Sequence, residues 1–378
     1  MKVAVNLLWM VPGGVGGSEE YVTRQLLALV DGPRRDQHLD QLTLFALPGF
    51  AEAHTDLALR CRVITAPVSG RRRELRVAAE LGWLNMQLRR GRFDLVHHAG
   101  GTVPPGSPGP TVLTIHDIQY LVYPDTFSSL KLGYLRRAVP AAVKRAAIIA
   151  TPSRFVADTL AEAFHVPADR LVVVPNALNT GLANRTQSEA LRAAYDMPGR
   201  VVVYPAITYR HKNHHTLLAA MAPLLRAEPT LRLVLLGGVG PCEAEVHAAA
   251  ASLGITGGIV RPGRIPAADR DGIYAMASVM AFPSRYEGFG IPVLEAMAAG
   301  CPVVASNVTA LPEAVGDAGI LVDPDDITGW TEALLKVLDD SAVSADLRSR
   351  GYRRAAAFTA ENTAAALHLA YTKAGEHR

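Results

Sequence analysis

The segment Val279-Met-Ala-Phe-Pro-Ser-Arg-Tyr-Glu-Gly-Phe-Gly-Ile-Pro-Val-Leu-Glu-Ala-Met-Ala-Ala-Gly300 joins an apolar run, a glycine-rich turn and a helical pattern. The apolar run at residues 279–283 predicts a buried strand. Pro292 suits the first turn of a helix, and Gly300 suits its end. The glycines of the turn leave backbone N–H groups open at the helix N-terminus, where an anion such as a diphosphate is stabilised. The segment therefore predicts a strand–turn–helix unit that contains an anion site.

Two carboxylates flank this turn, and they cannot both contact phosphate because like charges repel. Glu295 is expected roughly 5 Å along the helix axis from Pro292, where its side chain can accept hydrogen bonds from ribose hydroxyls. Glu287 precedes the helix and lies nearer to the sugar that a diphosphate would carry. A single glutamate at a helix start is typical of capping, whereas two that bracket Gly-Phe-Gly-Ile-Pro indicate a binding site.

A bound diphosphate needs positive charge, and the sequence offers it after another predicted strand. Lys212 lies in Tyr209-Arg-His-Lys-Asn-His-His215, between a predicted strand near residues 200–205 and a predicted helix at 215–226. We expect Lys212 to reach the same strand-end cleft, with Arg210 able to assist it. A plain polar loop is the alternative interpretation of this segment.

Metal binding is the other way to neutralise a diphosphate. Two acidic pairs, Asp269/Asp271 and Asp323/Asp325, match the Asp-x-Asp pattern, but both precede helical patterns and are interpreted as caps. The three histidines near Lys212 raise a further metal possibility, yet the spacing of their neighbours suits no metal site. We therefore predict no metal ligands.

Two motifs of the first half end predicted strands. Residues 11–20 form a glycine loop that resembles a phosphate loop, with Ser18 as the expected helix N-cap. This loop lacks the Gly-x-Gly-x-x-Gly and Gly-Lys-Ser/Thr patterns, which disfavours a nicotinamide or ATP site. It remains able to close over a ligand. His116 follows the strand at 111–116, and we expect its ring to face the cleft.

Short apolar runs alternate with helical patterns along all 378 residues, which predicts an α/β protein with two parallel sheets. The junction is expected in the Asn-, Gly- and Pro-rich segment 176–199. We predict two Rossmann-like domains, one at 1–180 and one at 181–357. The last helix, within 358–378, is expected to pack back on the first domain. The predicted strands lie near residues 2–8, 41–47, 62–66, 94–98, 111–116, 147–151, 171–174, 200–205, 231–236, 258–261, 279–283, 302–305 and 320–322.

The amino-acid composition indicates the class of protein and its cellular compartment. With 49% hydrophobic and 19% charged residues, the chain is globular, and a net charge of +3 is too small to indicate nucleic acid as a partner. The apolar N-terminus is interpreted as a strand and not as a signal peptide. Cys61, Cys242 and Cys301 are scattered and form no metal or redox pair, which favours a reducing cytoplasm.

Basic residues are concentrated in the first half. One interpretation is a set of solvated helix faces. The more specific interpretation is a cationic surface that lies on the anionic inner face of the cell membrane. Each basic residue would add about 1 kcal/mol to the free energy of membrane binding. The residues concerned are Arg71, Arg72, Arg73, Arg76, Arg89, Arg90, Arg92, Arg136, Arg137, Lys144 and Arg145.

Taken together, these motifs resemble the retaining glycosyltransferases of family 4, which have the GT-B fold and a Glu-x7-Glu hallmark. Here that hallmark runs from Glu287 to Glu295, and the likeness extends over residues 282–306 and 311–315. His-Lys-Asn at 211–213, the pair at 116–117 and the N-terminal glycine loop match in order. The resemblance implies two doubly wound domains facing across a cleft, with the domain at 1–180 on the acceptor side and the domain at 181–357 binding the nucleotide sugar.

The resemblance also implies an α-linked product, no obligatory metal and a closing motion between the domains. Glu295 would hold the ribose, Glu287 the donor sugar and Lys212 the leaving diphosphate, while His116 would lie near the reacting carbon. The remaining implied donor contacts are Gly16, Gly17, Arg210, Ser284, Gly288, Phe289, Gly290 and Ile291. Because many members carry arginine at or near position 211, either Arg210 or His211 supplies the second positive charge.

The stretch at residues 116–127 is similar to the branch of bacterial mannosyl- and rhamnosyltransferases of surface-polysaccharide assembly. That likeness favours GDP-mannose as donor, with UDP- or dTDP-sugars as alternatives, and a glycan or lipid-linked acceptor. Two other classes stay open: a sugar-nucleotide epimerase of the same fold, and a non-catalytic two-domain sugar-binding protein. A glycan phosphorylase is disfavoured, since no distinctive motif for a pyridoxal-phosphate lysine is present.

Overall fold

The protein consists of two units, each built on its own parallel sheet. The computed structural model describes residues 1–13, 16–32, 41–178 and 186–377. The first unit comprises residues 1–177 and 358–378, and the second comprises residues 178–357. The domain boundary expected between residues 180 and 181 lies in segment 179–185, outside the described residues.

Seven parallel strands form the sheet of the first unit, in the order β3-β2-β1-β4-β5-β6-β7. Strand order reverses between β1 and β4, which pair directly. In doubly wound sheets such a switch point opens a crevice at the carboxyl ends of the strands. The strands are β1 (Lys2–Asn6), β2 (Gln41–Ala46), β3 (Arg62–Thr65), β4 (Leu95–His98), β5 (Thr111–Thr114), β6 (Ile148–Thr151) and β7 (Leu171–Val173).

Helices cover both faces of this sheet, as strands without polar alternation require. They are α1 (Gly17–Asp31), α2 (Phe50–Ala53), α3 (Thr55–Arg60), α4 (Arg73–Ala79), α5 (Asn85–Gly91), α6 (Gln119–Val122), α7 (Ser129–Arg145) and α8 (Arg154–Phe164). A π-helical segment, Glu80–Leu84, joins α4 to α5. In the part of the chain that is described, no helix is long and apolar enough to cross a membrane.

The second unit repeats the plan with six parallel strands in the order β10-β9-β8-β11-β12-β13. Its strands are β8 (Val201–Pro205), β9 (Arg232–Leu236), β10 (Ile259–Gly263), β11 (Val279–Phe282), β12 (Val303–Ser306) and β13 (Ile320–Val322). Its helices are α9 (Ser188–Ala194), α10 (His214–Ala227), α11 (Glu243–Ser252), α12 (Ala267–Met276), α13 (Ile291–Ala298), α14 (Leu311–Val315), α15 (Ile327–Asp339) and α16 (Ser341–Ala355). All thirteen predicted strands are therefore present.

The last helix, α17 (Ala360–Glu376), returns to the first unit. Leu367, Ala370 and Tyr371 are buried in the core that α1 shares with the sheet. The Thr363 hydroxyl donates a hydrogen bond to the Pro175 carbonyl at 2.9 Å. Tyr371 also places its hydroxyl 2.9 Å from Nδ1 of the buried His97 on β4. The C-terminal helix is thus part of the hydrophobic core of the first unit.

We predict that His97 makes the first unit sensitive to acid. Burial lowers the pKa of His97 to about 3, so between that pH and about 6.5 the unfolded chain binds a proton that the folded chain does not. Stability should therefore fall as the pH drops, with His97 alone contributing about 2 kcal/mol between pH 7 and pH 5. Urea unfolding of the His97→Gln variant should show a shallower pH slope, whereas exposed His377→Gln should leave it unchanged. Equal slopes in all three proteins would contradict the prediction.

Candidate active site

The predicted strand–turn–helix unit of the second domain is present as β11, a loop and α13. Gly290 is the N-cap of α13 and has φ +95°, in the left-handed region that favours glycine. A Cβ at this position would lie 3.0 Å from Cδ2 of Leu311. Among the described residues no side chain caps the helix. The N-terminus of α13 is therefore available to an anionic ligand.

Lys212 and Glu287 form an ion pair beside this helix start. Nζ of Lys212 lies 2.6 Å from Oε1 of Glu287, and both side chains retain some exposure, 19% and 14%. Their loops follow β8 and β11, which pair directly. The Lys212 carbonyl accepts a hydrogen bond from the Tyr204 hydroxyl at 2.6 Å, and the Glu287 N–H donates to Thr309 Oγ1 at 3.1 Å. These bonds fix the backbone of both residues of the ion pair.

Hydrogen bonds to backbone carbonyls hold the two loops together. Asn213 has φ +56°, and its Nδ2 donates to the carbonyls of Pro283 at 3.2 Å and Pro324 at 2.7 Å. The Arg285 N–H donates to the His211 carbonyl at 2.7 Å. Ser284 is fully buried, and its hydroxyl bonds to the carbonyls of His211 and Tyr286. Ser284 therefore helps to hold the two loops together, and its implied contact with the donor stays a prediction.

Glu295 lies on the first turns of α13 and is 9% exposed. Arg270 of α12 lies beside it: its Nη2 is 3.9 Å from Oε1 of Glu295 and 2.9 Å from Oδ1 of Asp271. Sequence reasoning missed Arg270, because it considered Asp269-Arg-Asp271 only as a metal motif or cap. The sequence did contain a signal for it, an arginine between two aspartates before a helical pattern.

Arg210 and His211 differ in burial. His211 is buried, which lowers its pKa to about 3, with Lys212 adding repulsion. Its imidazole is therefore neutral at pH 7. Arg210 is exposed, and its side chain is a guanidinium. Of the two residues, Arg210 is the one that carries positive charge near Lys212.

The two acidic pairs form hydrogen bonds and ion pairs within the protein, but neither pair caps a helix as expected. Asp269 accepts hydrogen bonds from Thr186 and Tyr195 within the fold. Helix α15 is capped by Asp326, whose carboxylate accepts from the Gly329 N–H at 2.9 Å. Asp325 pairs with Arg285. The described residues contain no cluster of three or more His, Cys, Asp or Glu side chains fit to hold a metal ion.

In the first unit, the glycine loop leads into α1 with Gly16 as N-cap, φ +77°, and Gly17 as the first helical residue. The expectation that Ser18 caps the helix is wrong, since Ser18 lies inside it. Glu19 stabilises the loop instead: its carboxylate accepts from the Gly13 N–H at 2.9 Å and lies 2.8 Å from Nε2 of His54. Residues 14 and 15 lie outside the described residues.

His116 follows β5 at the same sheet edge. Its Nε2 donates to the Ala99 carbonyl at 3.0 Å, and its ring lies against Trp9 and Tyr21, with centroids 5.7 and 5.2 Å away. Burial lowers the pKa of His116 to about 4. The imidazole is thus neutral with its proton on Nε2, which leaves Nδ1 as an acceptor for a ligand hydroxyl.

A buried polar network at the switch point of the first unit was also missed. Asn6, at the end of β1, lies 2.9 Å through Nδ2 from Oε1 of Glu80 and 3.1 Å from Nδ1 of His98. Nε2 of His98 lies 2.9 Å from the Ser107 hydroxyl. Burial raises the pKa of Glu80 and lowers that of His98 to about 3. The pair His97-His98 at a strand end was the only local signal.

Two doubly wound parallel sheets of seven and six strands are the architecture of the GT-B fold. Comparisons with known proteins agree. The family described as Glycosyltransferase Family 4 matches residues 15–182, and Glycosyl transferases group 1 matches residues 199–340. The chain belongs to glycosyltransferase family 4.

Individual relatives share most of the length of this chain. O-antigen chain mannosyltransferase B of Escherichia coli is 32% identical over 71% of this chain and 72% of that protein. D-inositol 3-phosphate glycosyltransferase of Thermobispora bispora is 27% identical over 96% of this chain and 91% of that protein. The structure of Anabaena HepE in complex with UDP and glucose superposes with a TM-score of 0.75 at 21% identity, covering 98% of this chain and 99% of that one.

We predict that Gly290→Ala weakens both the fold and the anion site. A left-handed backbone costs a non-glycine residue about 1–2 kcal/mol, and the new Cβ presses on Leu311. Urea unfolding should show that loss, and nucleotide should raise the melting temperature less than in the wild type. Gly257→Ala is the matched control, because its Cβ meets nothing within 4 Å. A Gly290→Ala protein as stable as this control would contradict the prediction.

Proposed function

We propose that this glycosyltransferase is a retaining, metal-independent hexosyltransferase that moves mannose from GDP-mannose to a glycan or lipid-linked acceptor in surface-polysaccharide or glycolipid assembly. The observation that carries the proposal is the Lys212–Glu287 pair, 2.6 Å long, beside the open N-terminus of α13. Similarity to an O-antigen mannosyltransferase supports mannose as the sugar. HepE, solved with UDP and glucose, supports a nucleotide-sugar donor in general.

In this proposal the reaction breaks the bond between the sugar carbon and the diphosphate oxygen. The acceptor oxygen forms the new bond and loses its proton. Negative charge grows on the departing diphosphate, so preorganised positive groups lower the barrier most. Lys212 has three N–H donors, of which Glu287 needs one. Lys212, Arg210 and the N–H groups at Gly288–Ile291 then supply the charge that a metal ion supplies in other transferases.

The carboxylates and the histidine take the remaining roles. We assign Glu295 to the ribose hydroxyls, while Arg270 reduces the repulsion between this carboxylate and the diphosphate. Glu287, held by Lys212 and Thr309, is assigned to the donor sugar. The neutral His116 would accept a hydrogen bond from a sugar hydroxyl through Nδ1. Gly16 and Gly17 are proposed to approach the donor, as glycine permits close backbone contact.

We predict that Lys212→Ala lowers kcat by about 10²- to 10³-fold, the usual loss for one preorganised donor. Release of nucleotide from GDP-mannose, UDP-glucose and a dTDP-sugar measures this directly and ranks the donors. Lys336→Ala, at an exposed site in the same unit, is the control and should keep full turnover.

Near-wild-type turnover of Lys212→Ala would refute the assignment. Thermal shift with GDP, UDP and free sugars separates the rival classes, because a bound ligand raises the melting temperature. Stabilisation by sugars alone would favour a sugar-binding protein. Conversion of the donor to its epimer would favour an epimerase.

We also propose that the first unit rests on an anionic membrane surface. Arg71 and Arg72 are exposed, and Arg73 places its guanidinium 4.7 Å from the ring centroid of Tyr134 on α7. The contact brings the basic segment before α4 next to Arg136 and Arg137 of α7. Arg76 is an exception to the expected surface, because it donates to the Trp9 carbonyl at 2.8 Å.

We predict that the protein binds phosphatidylglycerol vesicles at low salt and not phosphatidylcholine vesicles. Replacing Arg71 and Arg72 together by Gln should weaken binding by roughly 2 kcal/mol, at about 1 kcal/mol per charge. Vesicle co-sedimentation measures the change. Arg353→Gln, exposed in the second unit, should have no effect. No binding at low salt would refute the membrane proposal.

A further inference from the structure

A groove in the first unit has its origin in the topology of the sheet. On one face the helical layer contains two separate hydrophobic clusters. One includes Leu84 and Leu88, and the other includes Val139 and Val143 of α7. The connection from β4 to β5, residues 99–110, carries no helix that would fill the space between them. A gap therefore remains between α4 with its π-helical extension and α7.

This gap encloses about 690 Å³, within the usual range for ligand pockets. Its walls are mostly apolar, with Val77 and Leu81 on one side, Tyr134 and Ala138 on the other, and Val103 and Pro104 at the base. Hydrogen bonds from Asn85 Nδ2 to the Pro105 carbonyl, 2.9 Å, and from Arg89 Nη2 to the Gly106 carbonyl, 3.0 Å, fix the base loop. The groove is thus preformed.

The rim of the groove combines exposed leucines with arginines. Leu130 is 82% exposed and Leu81 is 45% exposed, so apolar surface continues outward from the groove. Arg137 and Arg145 line the groove and are exposed, and both belong to α7. Apolar surface of this kind marks a binding site, and the guanidinium groups suit a phosphate.

Glu80 is the acidic residue of the groove lining, and its carboxyl is buried and hydrogen-bonded. Its Oε1 accepts a hydrogen bond from Asn6 Nδ2 at 2.9 Å, and its side chain is largely buried. Burial raises the pKa of this carboxyl, so Glu80 repels a bound anion less than an exposed glutamate would. Glu80 also begins the π-helical segment, a feature that frequently marks functional sites.

We propose that this groove binds the hydrocarbon chain of a lipid phosphate that carries the acceptor glycan, with the phosphate held by Arg137 and Arg145. This inference rests on the proposed function and selects the lipid-linked acceptor from its two alternatives. A glycan alone would match the arginines but leave the apolar walls and the rim leucines uncovered. An amphiphile with a single phosphate matches both parts of the surface.

Farnesyl phosphate, used below its micelle concentration, is the probe for the first test. Gly133 lines the groove on α7, and a Cβ at this position meets nothing within 4 Å. Gly133→Leu should therefore fold well, since it removes a helix-weakening glycine, yet its side chain enters the groove. We expect binding to weaken at least tenfold by isothermal titration calorimetry. Gly375→Leu, a helical glycine with equally open surroundings outside the groove lining, should bind as the wild type does.

The second test separates the chain from the phosphate. Arg137→Gln with Arg145→Gln should weaken farnesyl phosphate at least tenfold and leave farnesol unchanged. Arg136→Gln with Lys144→Gln removes the same charge from neighbouring exposed positions of α7 and should leave both ligands unchanged. Equal losses in the two double variants would mean general surface attraction and would overturn the proposal.

Three further outcomes would also overturn it: no binding of farnesyl phosphate, unchanged binding by Gly133→Leu, or full competition by inorganic phosphate. Phosphatidylglycerol vesicles distinguish a bilayer surface from a single bound lipid, because Gly133→Leu should adsorb to them normally. Donor hydrolysis without acceptor reports on the second unit independently. A protein that hydrolyses GDP-mannose but ignores farnesyl phosphate refutes the groove alone, whereas loss of both refutes the proposed function.

Discussion

Parallel strand pairing is the constraint on which the rest of this protein depends. Each connection must cross back over the sheet, so the carboxyl ends of all strands, and the N-termini of the helices that follow, lie along one edge. Groups far apart in the chain therefore meet there. Lys212 and Glu287 are separated by 75 residues and are brought to 2.6 Å because β8 and β11 are neighbours.

Charge at this edge is balanced in pairs. In the proposed function this site binds a diphosphate, which two free carboxylates would repel, yet the second unit places Glu287 and Glu295 on either side of the α13 N-terminus. Lys212 lies beside the first and Arg270 beside the second. Each acid keeps the acceptor oxygens that sugar and ribose hydroxyls need, while the adjacent cation offsets its repulsion of phosphate. Exposure of 14% and 9% keeps these interactions stronger than they would be in open water.

The first unit uses the same architecture for a different surface. Its helical layer is interrupted where β4 connects to β5 without a helix, and the interruption forms the groove beside α7. Next to it, the network of Asn6, Glu80 and His98 satisfies buried polar groups at the switch point of the sheet. A polar switch point and an apolar groove in one unit suit a substrate with a hydrophilic and a hydrophobic end.

Apolar runs and turn residues are local signals, so the thirteen strands, the division into two parallel sheets and the strand–turn–helix unit with its glycines were predictable from the sequence. The Arg270–Glu295 contact and the burial that keeps His211 neutral were not predictable in this way. The groove belongs to the same group, since its walls come from residues 77–81 and 130–145. These features depend on which distant segments pack together, and no local period in the chain records that choice.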